Sequence, residues 1–113
     1  MKSLAVGNLL ETLPGSPQTE ELFEALVRTS GVLVERIVST GQVTPEGEWY
    51  DQERDEWVMV LSGAARLRID GEREDRELAA GDWIHLPAHC RHRVAWTDDR
   101  PCTIWLAVHF PAD

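Results

Sequence analysis

The chain has 113 residues and a mass of 12.8 kDa, enough for one domain around a single core. Hydrophobic residues make up 42% of it, and no apolar run approaches the ~20 residues of a membrane helix, so neither disorder nor a membrane span is expected. Lys plus Arg is 11 and Asp plus Glu is 20, a formal net charge of −9 that repels nucleic acid and anionic membrane alike.

The opening Met1-Lys2-Ser3-Leu4-Ala5-Val6-Gly7-Asn8 has a short apolar stretch broken by Gly7 and Asn8. It matches a signal peptide poorly, so a cytoplasmic location is expected. Leu9 and Leu10 continue an apolar arm up to the turn-rich Pro14-Gly15-Ser16-Pro17. Thr19 then reads as a helix cap, with Glu20 and Glu21 in the first turn. Leu22, Phe23, Leu26 and Val27 form one helical stripe, and Gly31 suits its stop. Residues 1–31 are therefore expected to be an arm and a short capping helix, and residues 32–113 a barrel.

From Val32 the period changes to two. Val32–Val38, Glu56–Leu61 and Ala64–Ile69 read as strands, and Asp70-Gly71 as a hairpin turn. Glu72–Leu78 reads as a charged edge strand. Trp83–Leu86, Arg91–Trp96 and Thr103–Phe110 complete the set, with Thr97-Asp98-Asp99-Arg100-Pro101 linking the last two. Short strands at regular spacing with turns between them indicate an all-β sandwich or barrel. Cys90 and Cys102 form no CxxC pair and read as free, partly buried thiols in the cytosol. A cationic imidazole at His89 or His92 would lower the pKa of Cys90.

The residues with chemical potential gather in two segments, Asp55-Glu56-Trp57-Val58-Met59-Val60-Leu61-Ser62-Gly63 and Gly81-Asp82-Trp83-Ile84-His85-Leu86-Pro87-Ala88-His89-Cys90-Arg91-His92. If Glu56 points inward, so do Val58 and Val60; His92 would then share a face with Val94 and Trp96. A carboxylate and an imidazole heading two apolar rows form a polar patch at a greasy cavity. Trp96 is expected to be a wall of that cavity. Glu56 could instead be satisfied by Arg36, Arg66 or Arg68, and Asp51 could bond its own loop backbone. His85 and His109 read as structural histidines. Parity with Trp105 gives His109 a minor route to the cavity.

These spacings resemble the cupin superfamily from about Gly41 to Phe110. The second cupin motif reads G-x5-P-x-G-x2-H, and Gly81, Pro87 and His92 fall on it in register, with His89 where the family has glycine. The first reads G-x5-H-x-H-x3,4-E-x6-G; Glu56 and Gly63 match it, while Trp49 and Asp51 stand where the paired histidines belong. The resemblance implies a double-stranded β-helix, or jelly-roll, barrel assembled as a homodimer. It also implies a site for a divalent transition metal (Mn, Fe, Ni or Zn) with Asp51, Glu56 and His92 as ligands. His89 and Asp51 would then act as catalytic acid or base groups, and Trp96 and Gln52 as substrate contacts. The functional expectation is a metal-binding cupin acting on a small organic molecule, as a dioxygenase, isomerase or lyase. The alternatives are a metal-free His/carboxylate isomerase-type enzyme and a non-catalytic module that binds or senses a small molecule.

Overall fold

The computed structural model describes residues 3–113. Eight antiparallel strands follow in chain order: β1 (Leu22–Arg28), β2 (Leu33–Ser39), β3 (Asp55–Ser62), β4 (Ala64–Ile69), β5 (Arg76–Ala79), β6 (Trp83–Leu86), β7 (His92–Thr97) and β8 (Thr103–Phe110). They form a five-stranded sheet in the order β1-β2-β8-β3-β6 and a three-stranded sheet in the order β5-β4-β7. The sheets face each other as an all-β jelly roll. Among the described residues no helix is long and apolar enough to cross a membrane.

Alternation decides what lies between the sheets. Val58 and Val60 of β3, Trp105 and Ala107 of β8 and Leu86 of β6 meet Ala65 and Leu67 of β4 and Leu78 of β5 in one buried cluster. The opposite face of β3, with Trp57 and Met59, is half-buried, and Trp57 lies against Trp83 with ring centroids 6.0 Å apart.

The helix expected after Thr19 is instead β1, paired antiparallel with β2 from Leu22↔Val38 to Arg28↔Leu33. The stripe at Leu22, Phe23, Leu26 and Val27 was consistent with a helix. β2 offers six residues of backbone partners, however, and tertiary pairing overrides a short segment's local preference. A bulge between Ala25 and Val27 explains why the apolar residues do not alternate cleanly. All four remain substantially exposed on this edge strand.

The charged strand expected over Glu72–Leu78 is shorter. Glu72 stays in the loop, where its two oxygens accept from Arg76 Nε at 2.8 Å and Nη2 at 2.7 Å. Gly71 takes φ +90° in the expected hairpin turn. Gly81, at the entrance to β6, takes φ +94°, and an added Cβ would meet nothing within 4 Å. Backbone conformation alone then penalises a side chain there. Gly81→Val is expected to lose about 1–2 kcal/mol, read as a lower urea midpoint with an unchanged slope. A midpoint equal to wild type would overturn this role for the turn.

Candidate functional site

Four strands aim polar side chains into one end of the space between the sheets. β3 and β8 pair so that Glu56 stands directly opposite His109. β2 pairs with β8 through Leu33↔His109 and Ile37↔Trp105, which brings Glu35 to the same end. β7 enters from the other sheet with His92 as its first residue. Together with Tyr50 and Glu21 these side chains line a cavity of about 90 Å³ whose apolar wall includes Phe23, Ile37, Val94 and Trp105.

Hydrogen bonds fix the protons. Nδ1 of His92 lies 2.8 Å from the Cys90 carbonyl oxygen. A carbonyl can only accept, so Nδ1 carries the hydrogen, and Nε2 of the neutral ring keeps its lone pair. That Nε2 faces Oε1 of Glu56 at 3.8 Å. On the other side, Nε2 of His109 donates to Oε1 of Glu35 at 2.9 Å and lies 3.9 Å from Oε2 of Glu56. Glu56 is thus 8% exposed, flanked by two imidazoles, and beyond hydrogen-bonding distance of both. Burial pushes its carboxyl above the ordinary value; the imidazoles of His109 and His92 pull the other way, and Glu35 adds a smaller push. A lone pair facing a carboxylate is repulsive, so this contact favours the protonated form of the Glu56 carboxyl.

The shell around this pair is ordered. The Tyr50 ring stacks on His92 with centroids 5.4 Å apart, and the two residues exchange backbone hydrogen bonds of 2.8 and 3.1 Å. Burial raises the Tyr50 phenol, and the charges of Glu21, Glu56 and Glu48 raise it further, so it stays a donor. Trp105 Nε1 donates to Ser39 Oγ at 3.0 Å, and Ser39 in turn donates to Glu21. The loop before β7 is clamped by Asp55, which accepts from His85 Nε2 at 2.8 Å and from the Ala88 amide at 2.9 Å. These bonds hold the Asp55 carboxyl below the ordinary value, the Ala88 amide contributing most.

The structure brings Glu56, His92 and Gln52 to the cavity. Tyr50 and Gln52 point inward, so Asp51 between them points out. Asp51 meets exposed His89, whose Nδ1 lies 2.8 Å from its Oδ1. His89 takes φ +63° in the turn closed by Cys90 N to Pro87 O at 3.0 Å, the backbone conformation that favours the family's glycine. Trp96 does not line the cavity. β7 has an extra residue opposite the Arg66–Leu67 step of β4, which flips the parity after Val94. Thr97 is buried in its stead, and Trp96 lies outside under the Arg66 guanidinium, 5.2 Å from the ring centroid. Arg36 does not satisfy Glu56; it pairs with Glu24 on the other face of β2. Cys90 is free and half-buried, as expected, but burial and the charge of Glu72 push its thiol up rather than a histidine lowering it.

Sequence reasoning passed over Glu21, Glu35 and Tyr50 and gave His109 a structural role. The parity of Trp105 and His109 on β8 was the usable signal. Glu21 was hidden by the helix reading, and Glu35 by its ordinary place in a charged strand. For the expected transition metal, the donors do not fit. Among the described residues no three His, Cys, Asp or Glu side chains converge as a set able to hold an ion. Asp51 is turned away, and His109 Nε2 is committed to Glu35.

A family profile described as the cupin domain matches residues 36–109. A Ralstonia eutropha JMP134 crystal structure, described as a candidate mannose-6-phosphate isomerase, is 49% identical, covers 96% of this chain and 100% of that one, and superposes with a TM-score of 0.93. A cupin superfamily protein from Desulfitobacterium hafniense DCB-2 gives a TM-score of 0.74 at 16% identity, covering 96% of this chain and 94% of that one. An RmlC-like cupin from Desulfovibrio desulfuricans gives 0.75 at 18% identity, covering 98% and 100%. At those two identities the likeness is one of fold alone. Among curated proteins no relative matches. The profile match over most of the chain, the near-complete likeness to the Ralstonia protein and the jelly roll itself agree: the chain belongs to the cupin domain family.

Proposed function

We propose that this cupin is an acid–base enzyme of the isomerase type, which moves a proton between neighbouring carbons of a small carbonyl compound. The observation that carries the reading is buried Glu56, unbonded and facing the lone-pair nitrogen of His92 across 3.8 Å at a cavity. A buried acid with a raised pKa beside a facing base in a cavity is a candidate functional group. The description of the Ralstonia protein as a candidate isomerase is in keeping with this class.

In this mechanism Nε2 of His92 takes the proton from the carbon beside the carbonyl, and the protonated carboxyl of Glu56 gives its proton to the carbonyl oxygen. The product is an enediol, or its amino counterpart. The imidazolium then returns its proton to the other carbon, and the Glu56 carboxylate recovers one from the remaining hydroxyl or amino group. Atoms and electrons balance with no co-reactant. The Glu35–His109 pair holds the second imidazole in one tautomer beside Glu56, and stacked Tyr50 keeps the His92 ring in plane.

The test is proton exchange in heavy water, with deuterium incorporation read by NMR over a panel of small α-hydroxy and α-amino aldehydes and ketones plus mannose 6-phosphate. The folded His92→Ala and Glu56→Gln proteins are expected to lose at least about a hundredfold in exchange rate. Exchange that persists in His92→Ala, or none from any compound with wild type, would sink the reading. Mannose 6-phosphate is expected to be a poor substrate, because among the described residues the cavity is lined by three glutamates and by no Lys or Arg.

Glu56→Gln also carries a stability prediction. The folded-state pKa of Glu56 lies above its unfolded value, so the folded protein holds the extra proton between the two, and stability falls as pH rises through that window. Glutamine removes this penalty. The variant's melting temperature is expected to exceed wild type by a few degrees at about pH 8, with the difference shrinking toward about pH 4, near the ordinary carboxylate value. A difference independent of pH would show that Glu56 is not held in that state.

A further inference from the structure

The ligand that would satisfy this cavity has a sign. Glu21, Glu35 and Glu56 all line it, and among the described residues no Lys or Arg does. Arg54 belongs to the adjoining surface groove, where Glu53 accompanies it. Even with Glu56 protonated and Glu35 paired with His109, the interior is short of positive charge. Among the described residues Glu21 receives only the Ser39 hydroxyl, and burial keeps its carboxyl above the ordinary value. The second observation is Glu56 itself, 8% exposed, aimed into the cavity and bonded to neither flanking imidazole.

The rest of the wall narrows the kind of cation. Trp105, Tyr50 and Phe23 line the same space as the carboxylates. A ring face attracts an ammonium group and also covers its carbon substituents, whereas a hydrated metal ion gains little from it. The volume of about 90 Å³ is that of roughly three waters at about 30 Å³ each. A protein of net charge −9 also draws cations toward its surface.

We propose that the cavity binds a small organic ammonium compound, its charge met by Glu21 and Glu35 and its carbon atoms by Trp105, Tyr50 and Phe23. This deepens the acid–base reading and rests on it for the cavity being the active site; the substrate class becomes a small amino-carbonyl compound. Acid–base chemistry at His92 and Glu56 is unchanged, and the ammonium group serves to orient the carbon acid between them.

The experiment is calorimetric and NMR titration of the full chain with ethylammonium, ethanol, acetate, inorganic phosphate and Mn²⁺. Ethylammonium is expected to bind at least about tenfold more tightly than ethanol, with acetate and phosphate not binding. Its resonance shifts should centre on the Trp105 indole N–H and the amides of Tyr50 and His92. Glu21→Gln and Glu35→Gln should each weaken ethylammonium by about tenfold, with circular dichroism confirming their fold. Equal or tighter binding of ethanol, acetate or phosphate would overturn the proposal, as would cation binding that both variants leave unchanged, or no binding of ethylammonium. Mn²⁺ binding more tightly than ethylammonium and lost in Glu56→Gln would overturn it in favour of a metal. Ammonium binding without His92-dependent exchange would uphold this proposal and fail the isomerase reading. The reverse result would do the opposite.

Discussion

Gly63→Ala is expected to be the most damaging single-methyl change in this protein, costing about 3 kcal/mol or more. Gly63 joins β3 to β4, where the chain leaves one sheet for the other, and it takes φ +82°. A Cβ there would lie 2.7 Å from the Cys102 carbonyl oxygen, 2.8 Å from the Cα of Thr103 and 2.8 Å from its Oγ1. None of these can yield cheaply. Thr103 is fully buried, and its hydroxyl lies 2.9 Å from the Ala64 carbonyl, 3.0 Å from that of Asp98 and 3.1 Å from the Asp98 amide it serves. Positive φ contributes about 1–2 kcal/mol, and overpacking against a fixed backbone about 1–3 kcal/mol more. The measurement is urea denaturation of Gly63→Ala beside Gly81→Ala, which shares the positive φ but has nothing within 4 Å of its Cβ. Gly63→Ala should lose at least twice as much. Equal losses would mean that the β3–β4 crossing tolerates movement of Thr103.

The same position shows why the barrel was legible in the sequence. Gly63, Gly81, Pro87 and His92 mark points where the backbone must turn or approach another strand, and those demands are met by residue type at fixed spacing. The alternation of Glu56, Val58 and Val60 likewise maps directly onto burial. The site was less legible because it depends on parity and on which strands become neighbours. One extra residue in β7 moved Trp96 from wall to surface, and no composition cue marks that bulge. Asp51 sits between two inward residues, so carrying a ligand position across by motif counting landed on the outward one. Glu35 and His109 reach Glu56 only because β8 lies between β2 and β3, an order fixed by long-range pairing. β1 failed for the opposite reason: local signals for a helix were present, and the sheet edge outweighed them.

Arg36→Ala is expected to cost about 3 kcal/mol, and the reason ties the arm to the cavity. Arg36 is 4% exposed on the outer face of β2, back to back with Glu35 and Ile37, which face inward. Its guanidinium pairs with Glu24 on β1 and donates to three arm carbonyls, Leu9 at 3.1 Å, Glu11 at 2.6 Å and Thr12 at 3.3 Å. Removing one partner of a buried, hydrogen-bonded charge costs about 3–5 kcal/mol; Glu24 is partly exposed and can rehydrate, which sets the lower end. Arg36→Lys keeps the charge but has no planar fork to serve four acceptors at once, so it should recover only part of the loss. The arm leads from these carbonyls to Glu21 at the cavity. Releasing it is expected to expose residues 3–21 to proteolysis and to weaken ethylammonium binding while the barrel stays folded. Thermal melting, limited proteolysis and calorimetry on the same Arg36→Ala sample separate these effects. An arm that stays protected with a melting temperature equal to wild type would show that β1 alone, without this guanidinium, holds Glu21 in place.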